Sequence, residues 1–271
     1  MRRRRPRVRL EDVGVELLTK YIRGRAAFKS KATLASVVSR LRLFGELLVE
    51  QGIWVSNPMR WMRGPKCDPR ARVPRRIGKD ALRRLWGCAA ERGGEYRRTL
   101  WVTLLAVLYG TGLRRGELER LDVTDWNPAD GTLLIDGRKT GQERRVPVPE
   151  TVWRCLEAYL PKRHNHLESL GAVGETALFV NRDGGRLACQ SISVGMKRIA
   201  TRSGSPGVTL HQFRHTCASD LLERGTSLPE VQEILGHRTI QTTVRYLSIA
   251  DPQRHEAVKR HPINEILGGT Q

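Results

Sequence analysis

The chain has 271 residues, and its 48 lysines and arginines against 28 aspartates and glutamates give a formal net charge of +20. Its longest apolar run, 100–108, is too short to cross a bilayer, and no apolar stretch follows the N-terminal arginines as it would in a signal peptide. We therefore predict a cytoplasmic protein without a membrane partner, and the excess of positive charge predicts a polyanionic ligand.

The length and the cysteine content limit the number of domains and the state of the thiols that can be expected. A chain of 271 residues is near the size at which a single hydrophobic core divides, so two modest domains are expected. The five cysteines never form a Cys-x-x-Cys pair, which predicts reduced thiols that mostly pack in the interior. Charge alone leaves open a ribosome-associated or chromosome-coating protein.

Residues 1–9 are predicted to form a basic N-terminal arm that becomes ordered only when it binds phosphate groups. Six arginines lie among these nine residues. The candidate DNA contacts in the arm are Arg2, Arg3, Arg4 and Arg5. A solvated tail without a specific target is an equally good interpretation.

Residues 10–63 are predicted to form a small, all-helical module. Apolar residues recur at helical spacing from Leu34 to Leu48, and a preceding helix is expected over 13–22. Three large residues after these helices are expected to close the far side of the bundle, namely Trp54, Met59 and Trp61. Two basic residues at polar positions of the second helix are candidate DNA contacts, Arg40 and Arg42.

Residues 64–76 have the composition of a linker, because three prolines interrupt them and no apolar period runs through them. The linker is also basic. Its arginines are candidate DNA contacts, namely Arg70, Arg72, Arg75 and Arg76. A cationic strap of this kind can lie along a duplex backbone and let two domains clamp the DNA.

Residues 77–250 are predicted to form a second domain, which begins with two helices and a small sheet. Asp80 is expected to cap the first helix, and a largely buried second helix is expected to end at Gly110 and Gly112. Strands are expected over two short segments that a polar turn joins, 133–135 and 145–148.

The rest of that domain is predicted to be helical. Helices are expected over three segments, 152–160, 191–201 and 210–224. The run His164-Asn165-His166 is placed in a polar loop. A last helix is expected to begin with a capping box at Ser227 and to end at Gly236. Two basic residues of the helix over 191–201 are candidate DNA contacts, Lys197 and Arg198.

Two arginines, two histidines and a tyrosine stand in short motifs that together predict phosphodiester chemistry. They are Arg114 after Thr111-Gly112-Leu113, the pair His211 and Arg214, His237 after Leu235-Gly236, and Tyr246. Two guanidiniums can bind the non-bridging oxygens of a phosphate, imidazoles can move protons, and a phenol can attack phosphorus to form a covalent ester. The set predicts cleavage of a phosphodiester without a metal or a cofactor.

Two other interpretations of these motifs are weaker. His211 and His215 have the spacing of a zinc-protease motif, but Gln212 replaces the glutamate that would act as the general base. The glycines at 110, 112 and 116 follow a predicted helix rather than a strand, and no Gly-Lys-Ser/Thr occurs. Neither a metal site nor a nucleotide site is therefore expected.

The motifs and their order resemble those of the tyrosine recombinases of the phage integrase and Xer-like family, and the resemblance runs from about residue 10 onward. It implies a mainly α-helical protein with a small β-sheet, in which an N-terminal helical bundle, the SAM-like core-binding domain, precedes an α+β catalytic domain. The resemblance assigns a catalytic role to Arg114, Lys139, His211, Arg214, His237 and Tyr246. Glu117 is then a supporting acid.

The resemblance also implies how these residues act. Tyr246 attacks the scissile phosphate to give a 3′-phosphotyrosine, Lys139 of the β-hairpin protonates the departing 5′ oxygen, His211 assists proton transfer and His237 binds the phosphate. Because the phosphotyrosine keeps the energy of the broken bond, rejoining needs no ATP.

The implied partner is double-stranded DNA with inverted half-sites, bound by a homotetramer that can include a partner recombinase. The tail, 251–271, either docks on a neighbouring protomer, as the resemblance implies, or packs on its own domain.

Three functions are compatible with the sequence. The leading one is a site-specific recombinase for DNA integration and excision or for replicon resolution. A type IB topoisomerase-like nicking and closing enzyme would use the same chemistry as a monomer. A catalytically inactive DNA-binding accessory protein is the third, and the intact set of charged residues argues against it.

Overall fold

The computed structural model describes residues 9–26, 30–66, 76–91, 93–137 and 143–236. The chain divides into two compact units, 1–73 and 74–271. No helix within the described ranges is both long enough and apolar enough to cross a membrane. Several predicted features lie outside the described residues, namely Arg2, Arg3, Arg4, Arg5, Arg70, Arg72, Arg75, Lys139, His237, Tyr246 and the tail.

The described part of the first unit contains two helices, α1 (Val15–Ala26) and α2 (Lys31–Glu50). Ser30 caps α2 by accepting a hydrogen bond from the backbone N–H of Thr33. The core consists of five buried residues, Leu18, Val38, Leu48, Trp54 and Met59. The prediction of a small helical module with an apolar seam along α2 is therefore confirmed.

Trp61 was expected in this core, and that prediction is wrong. Its side chain is 85% exposed, whereas Met59 is fully buried. Met59 is fixed in place because its backbone N–H donates to Oδ1 of Asn57, whose amide Nδ2 in turn donates to the carbonyl of Arg42 on α2. The turn thus directs Met59 inward and leaves Trp61 outside, where the Arg60 guanidinium lies over its ring.

The second unit contains seven helices in its described ranges: α3 (Lys79–Ala90), α4 (Glu95–Thr111), α5 (Arg115–Arg120), α6 (Glu150–Ser169), α7 (Cys189–Arg202), α8 (Leu210–Glu223) and α9 (Leu228–Leu235). The central one is α4, which packs against α3, α6 and α8. Most of its residues from Leu100 to Leu108 are buried, as expected from its apolar sequence. Helix α4 therefore forms the middle of the main core, and the ends of the surrounding helices carry the candidate site.

A small antiparallel sheet follows α5, with the strand order β1 (Trp126–Asn127), β2 (Thr132–Ile135) and β3 (Arg144–Pro147). Leu133 pairs with Val146, and both are fully buried. Strand β3 begins one residue earlier than predicted. Strand β1 was not predicted, because two residues are too few to show a period of alternation.

Two local predictions for this unit are wrong. Gly78 rather than Asp80 precedes α3, and Asp80 lies in the first turn, where it pairs with Arg83 on the surface. His164 and His166 lie in α6 rather than in a loop, since α6 continues past Pro161 to Ser169. The buried Arg163, which donates to the carbonyls of Ala177 and Glu175, anchors the part of α6 that follows the proline.

Four of the five cysteines lie in the described residues, namely Cys88, Cys155, Cys189 and Cys217, and all four are free thiols. This confirms the prediction of reduced cysteines for that part of the chain. Cys217 is buried on α8, and its burial raises the pKa of the thiol to about 12. It is a packing residue beside Gly112, where a Cβ would lie 3.3 Å from its sulfur.

Candidate active site

Arg114 stands at the turn between α4 and α5. Helix α4 ends at Thr111, and Gly112 adopts a left-handed φ of 63°, which reverses the chain at little steric cost. The next residue, Leu113, is buried and pins the turn to the core. Arg114 is then the residue that precedes α5, so its side chain leaves the core at the N-terminus of that short helix.

The guanidinium of Arg114 has two partners. Its Nη1 donates to Oε1 of Glu117 at 2.7 Å, and its Nη2 donates to the carbonyl of Gly236 at 2.8 Å. The backbone N–H of Arg114 donates to the other carboxylate oxygen of Glu117 at 2.8 Å. The side chain is still 35% exposed and lines a cleft, so Arg114 is partly accessible to solvent.

Arg214 lies on α8 and is almost fully buried, with 2% of its surface exposed. Its Nη1 donates to the carbonyl of Gly112 at 2.8 Å, and its Nη2 donates to the carbonyl of Leu235 at 2.7 Å. Both acceptors are carbonyls at the C-terminal ends of helices, where backbone oxygens lack helical partners and favour cations. The buried charge of Arg214 is therefore solvated by the backbone.

Arg144 is a third arginine at this site, and it was not among the residues predicted from the sequence. Its Nη1 and Nη2 donate to the two carboxylate oxygens of Glu117 at 3.2 Å and 3.1 Å. Its Nε donates to the carbonyl of Ile234 at 3.2 Å. The sequence does contain a signal that Arg144 faces inward. Arg144 lies two residues before the buried Val146, and alternation along a strand places both side chains on the inner face.

Glu117 is a buried carboxylate between two arginines. Burial by itself raises the pKa of Glu117, but hydrogen bonds from the Arg144 side chain and the Arg114 backbone, together with the charge of Arg144, outweigh it, so the net pKa lies below its ordinary value. Glu117 is consequently ionised at neutral pH. The supporting acid that the resemblance implied therefore contacts Arg114 directly.

Two histidines stand one helical turn apart on α8. The rings of His211 and His215 are 4.1 Å apart between centroids and meet edge to face. Partial burial and the charges of Arg214 and Arg114 lower the pKa of His211. His211 is therefore neutral at pH 7, and a neutral imidazole can accept a proton. In the described residues no group of three or more histidine, cysteine or acidic side chains is arranged to bind a metal ion.

Three of the predicted catalytic residues line a single cleft of about 750 Å³ between α5, α7 and α8: Arg114, His211 and Arg214. Lys197 of α7, predicted as a DNA contact, lines the same cleft. A neighbouring groove of about 680 Å³ also includes Lys197, and it is lined by Arg97, Arg198 and Arg202 as well. Lys197 therefore borders both the cleft and the groove, and basic side chains line each of them.

The other described candidates lie elsewhere. Arg40 is exposed on α2, whereas the guanidinium of Arg42 donates to the carbonyl of Met62 within the first unit. Arg76 forms ion pairs with Asp220 and Glu223 of α8. Arg76 thus has carboxylate partners within its own unit, and its contact with DNA stays a prediction.

The chain is similar in sequence to known proteins. The model of the phage integrase family matches residues 75–253. Tyrosine recombinase XerC of Corynebacterium efficiens is 32% identical over 86% of this chain and 73% of its own length. Tyrosine recombinase XerD of Oceanobacillus iheyensis is 33% identical over 82% of this chain and 72% of its own.

Solved structures share the fold at lower identity. The XerH site-specific recombinase bound to a palindromic difH substrate superimposes with a TM-score of 0.74 at 21% identity, and covers 93% of this chain and 73% of that one. The lambda integrase tetramer bound to a Holliday junction gives a TM-score of 0.65 at 21% identity. This match covers 90% of this chain and 67% of that one. The mainly α-helical fold with a small sheet is therefore shared with these two solved structures.

Proposed function

This chain belongs to the phage integrase family of tyrosine recombinases, and from that premise we propose that it is a site-specific DNA recombinase with Tyr246 as its nucleophile. The observation that carries the proposal is the convergence of Arg114, Arg214 and His211 on one cleft. Two guanidiniums in one cleft can neutralise a phosphate and stabilise the extra charge of its pentavalent transition state.

The proposed reaction exchanges one phosphoester for another. The phenol oxygen of Tyr246 bonds to phosphorus as the bond from phosphorus to the 5′ oxygen breaks. His211, which is neutral at pH 7, assists removal of the phenol proton, and Lys139 supplies a proton to the departing 5′ oxygen. The 3′-phosphotyrosine is then attacked by a 5′ hydroxyl of a second strand, which restores the phenol and needs no ATP or metal.

The proposed partner is double-stranded DNA that carries two inverted half-sites, bound by four copies of the chain. Two solved neighbours support this arrangement, since one is bound to a palindromic difH substrate and another is a tetramer bound to a Holliday junction. His237 is proposed to bind the scissile phosphate, and the tail, 251–271, to dock on a neighbouring protomer. The domain limits 10–63 and 77–250 stay part of the proposal.

The decisive experiment is covalent capture. The full chain is incubated with a library of randomised duplexes that carry sparse nicks, because a nick beside the cleavage site lets the short 5′ product diffuse away and traps the adduct. DNA that stays attached to protein after denaturation is sequenced. We expect an enriched sequence with two inverted half-sites, and no adduct from Tyr246→Phe.

Tyr21→Phe is the matched control, since Tyr21 is an exposed tyrosine on α1 and its replacement should leave adduct formation unchanged. A wild-type chain that forms no adduct with any duplex contradicts the proposed function. An adduct that persists in Tyr246→Phe contradicts the nucleophile. Relaxation of a supercoiled plasmid without the enriched site favours the topoisomerase-like alternative.

A further inference from the structure

Three arginines bind three consecutive carbonyls at the C-terminal end of α9. Arg144 donates to Ile234, Arg214 donates to Leu235 and Arg114 donates to Gly236, at 3.2, 2.7 and 2.8 Å. The last carbonyls of a helix have no partner within it and carry the negative end of its dipole. The end of α9 therefore serves as a common acceptor that spaces the three guanidiniums.

Glu117 links two of these arginines. It accepts from both Nη atoms of Arg144 and from Nη1 of Arg114. Three guanidiniums and one carboxylate give this network two formal positive charges. Positive charge of this kind stabilises the negative charge that develops on a phosphate in the pentavalent transition state.

Arg144 itself does not line the cleft that contains Arg114, His211 and Arg214. Its side chain is only 10% exposed and faces Glu117 and the end of α9. A Cβ on Gly236 would lie 2.7 Å from Cζ of Arg144, so glycine at 236 is what lets the guanidinium lie against this turn. Any effect of Arg144 on a bound phosphate therefore passes through its neighbours.

We propose that Arg144 is a positioning residue, which occupies Glu117 so that Arg114 presents its remaining N–H groups to the scissile phosphate. The proposal rests on the proposed recombinase function. Arg114 uses one N–H of Nη1 for Glu117 and one of Nη2 for Gly236. A guanidinium has five N–H groups, so within the described residues three remain for phosphate oxygens.

The loss of Arg144 changes the partners of Glu117. The carboxylate then has only Arg114 as a cationic partner among the described residues, and a bidentate pair of Arg114 with Glu117 becomes the favoured geometry. In that pair the N–H groups of the Arg114 guanidinium point away from the cleft. Cleavage slows because the phosphate loses donors, whereas the rest of the DNA-binding surface is unaltered.

The test compares Arg144→Gln with Arg145→Gln on the duplex that covalent capture identifies. Arg145 is the next residue of β3, but its side chain is 61% exposed and points to the surface near Asp130. We expect Arg144→Gln to slow single-turnover cleavage about 10- to 100-fold, because a misplacement of about 1 Å in a site can cost about 100-fold. Its Kd for DNA should change little, and Arg145→Gln should cleave as wild type does.

Two further readouts separate positioning from a merely structural defect. The double variant Arg114→Ala/Arg144→Gln should cleave no more slowly than Arg114→Ala alone, because the effect of Arg144 passes through Arg114. On a duplex with a neutral methylphosphonate at the scissile position, the defect of Arg144→Gln should shrink. A structural defect would instead multiply with Arg114→Ala and would persist on the neutral substrate.

The outcomes are distinct from those for the proposed function. Wild-type cleavage together with equally fast cleavage by Arg144→Gln overturns the positioning role and leaves the recombinase intact. A wild-type chain that never cleaves overturns both. If Arg144→Gln does not fold, Arg144→Lys keeps the charge but not the bidentate geometry, and slower cleavage by a stable Arg144→Lys supports the role.

Discussion

The imidazole of His215 is kept uncharged by its surroundings. Partial burial, the adjacent ring of His211 and the charge of Arg214 lower its pKa to about 4. The pKa of His211 is lowered in the same direction, by partial burial and by Arg214 and Arg114. The first two turns of α8 therefore favour neutral imidazoles, so the histidines add no positive charge to that of the arginines.

We expect this to appear as a loss of stability in acid. The unfolded chain binds a proton at His215 below about pH 6.5, whereas the folded chain binds it only near pH 4. The contribution of His215 to the free energy of unfolding is thus fully present above about pH 6.5 and declines as the pH falls to about 4. The decline is at most about 1.4 kcal/mol per pH unit, and it is smaller for a half-buried ring.

The measurement is the urea midpoint of unfolding across this pH range. His215→Gln should show a shallower decline than wild type, because it removes one of the two imidazoles of α8 whose pKa is lowered. His164→Gln is the control, since His164 is 63% exposed on α6, and it should follow wild type. Equal slopes in His215→Gln and wild type would show that His215 titrates normally in the folded chain.

At the scale of elements, the end of α9 and the turn after α4 depend on each other. Gly112 adopts a φ of 63°, and a Cβ there would lie 2.3 Å from Cδ2 of Leu235. The carbonyl of Gly112 also accepts from Arg214, which donates to Leu235 as well. A side chain at Gly112 would therefore push α9 away from the arginines that it orders.

Gly112→Ala should be more destabilising than a glycine replacement that introduces backbone strain alone. Gly204→Ala is the matched variant, because Gly204 has a φ of 70° and nothing lies within 4 Å of its missing Cβ. We expect about 1–2 kcal/mol for Gly204→Ala from the left-handed backbone. Gly112→Ala should lose about 1–3 kcal/mol more from overpacking against Leu235. Urea unfolding measures both, and equal losses would contradict a close packing of α9 on this turn.

Local signals predicted the ends of these elements well. Ser227 accepts from the N–H of Glu230 and Gly236 has a φ of 64°, as the capping box and the glycine predicted. The predicted helix over 152–160 stops before Pro161, where a proline usually ends a helix, but α6 continues to Ser169. Here the buried Arg163 and Leu167 stabilise the next turns, and no local pattern reveals such burial.

The candidate site was predictable where a motif carries its own chemistry. Arg114 precedes α5, His211 and Arg214 lie on α8, and all three line one cleft, as their motifs indicated. Their catalytic roles stay a prediction. Arg144 was missed because its partners are far away in sequence: Glu117 lies 27 residues before it and Ile234 lies 90 residues after it. Only the folded chain shows that it belongs to the same network.

At the scale of the whole molecule, the effect of the net charge of +20 on DNA binding depends on where the basic side chains lie. Lys197 is common to the cleft with Arg114 and the groove with Arg198 and Arg202. A DNA strand whose scissile phosphate lies between the arginines of the cleft can continue along this groove. Each phosphate that a lysine or arginine neutralises releases condensed counterions, so its contribution is visible as salt dependence.

Lys197→Gln should therefore weaken binding to a short duplex and flatten the plot of log Kd against log salt concentration by about one unit of slope. Arg154→Gln removes the same charge from α6, where Arg154 is 75% exposed and pairs with Glu150, so its slope should equal that of wild type. Fluorescence anisotropy over a salt series measures both. If the two variants lose equal slope, net charge rather than a contact at Lys197 accounts for the effect, and the path of the strand along α7 is wrong.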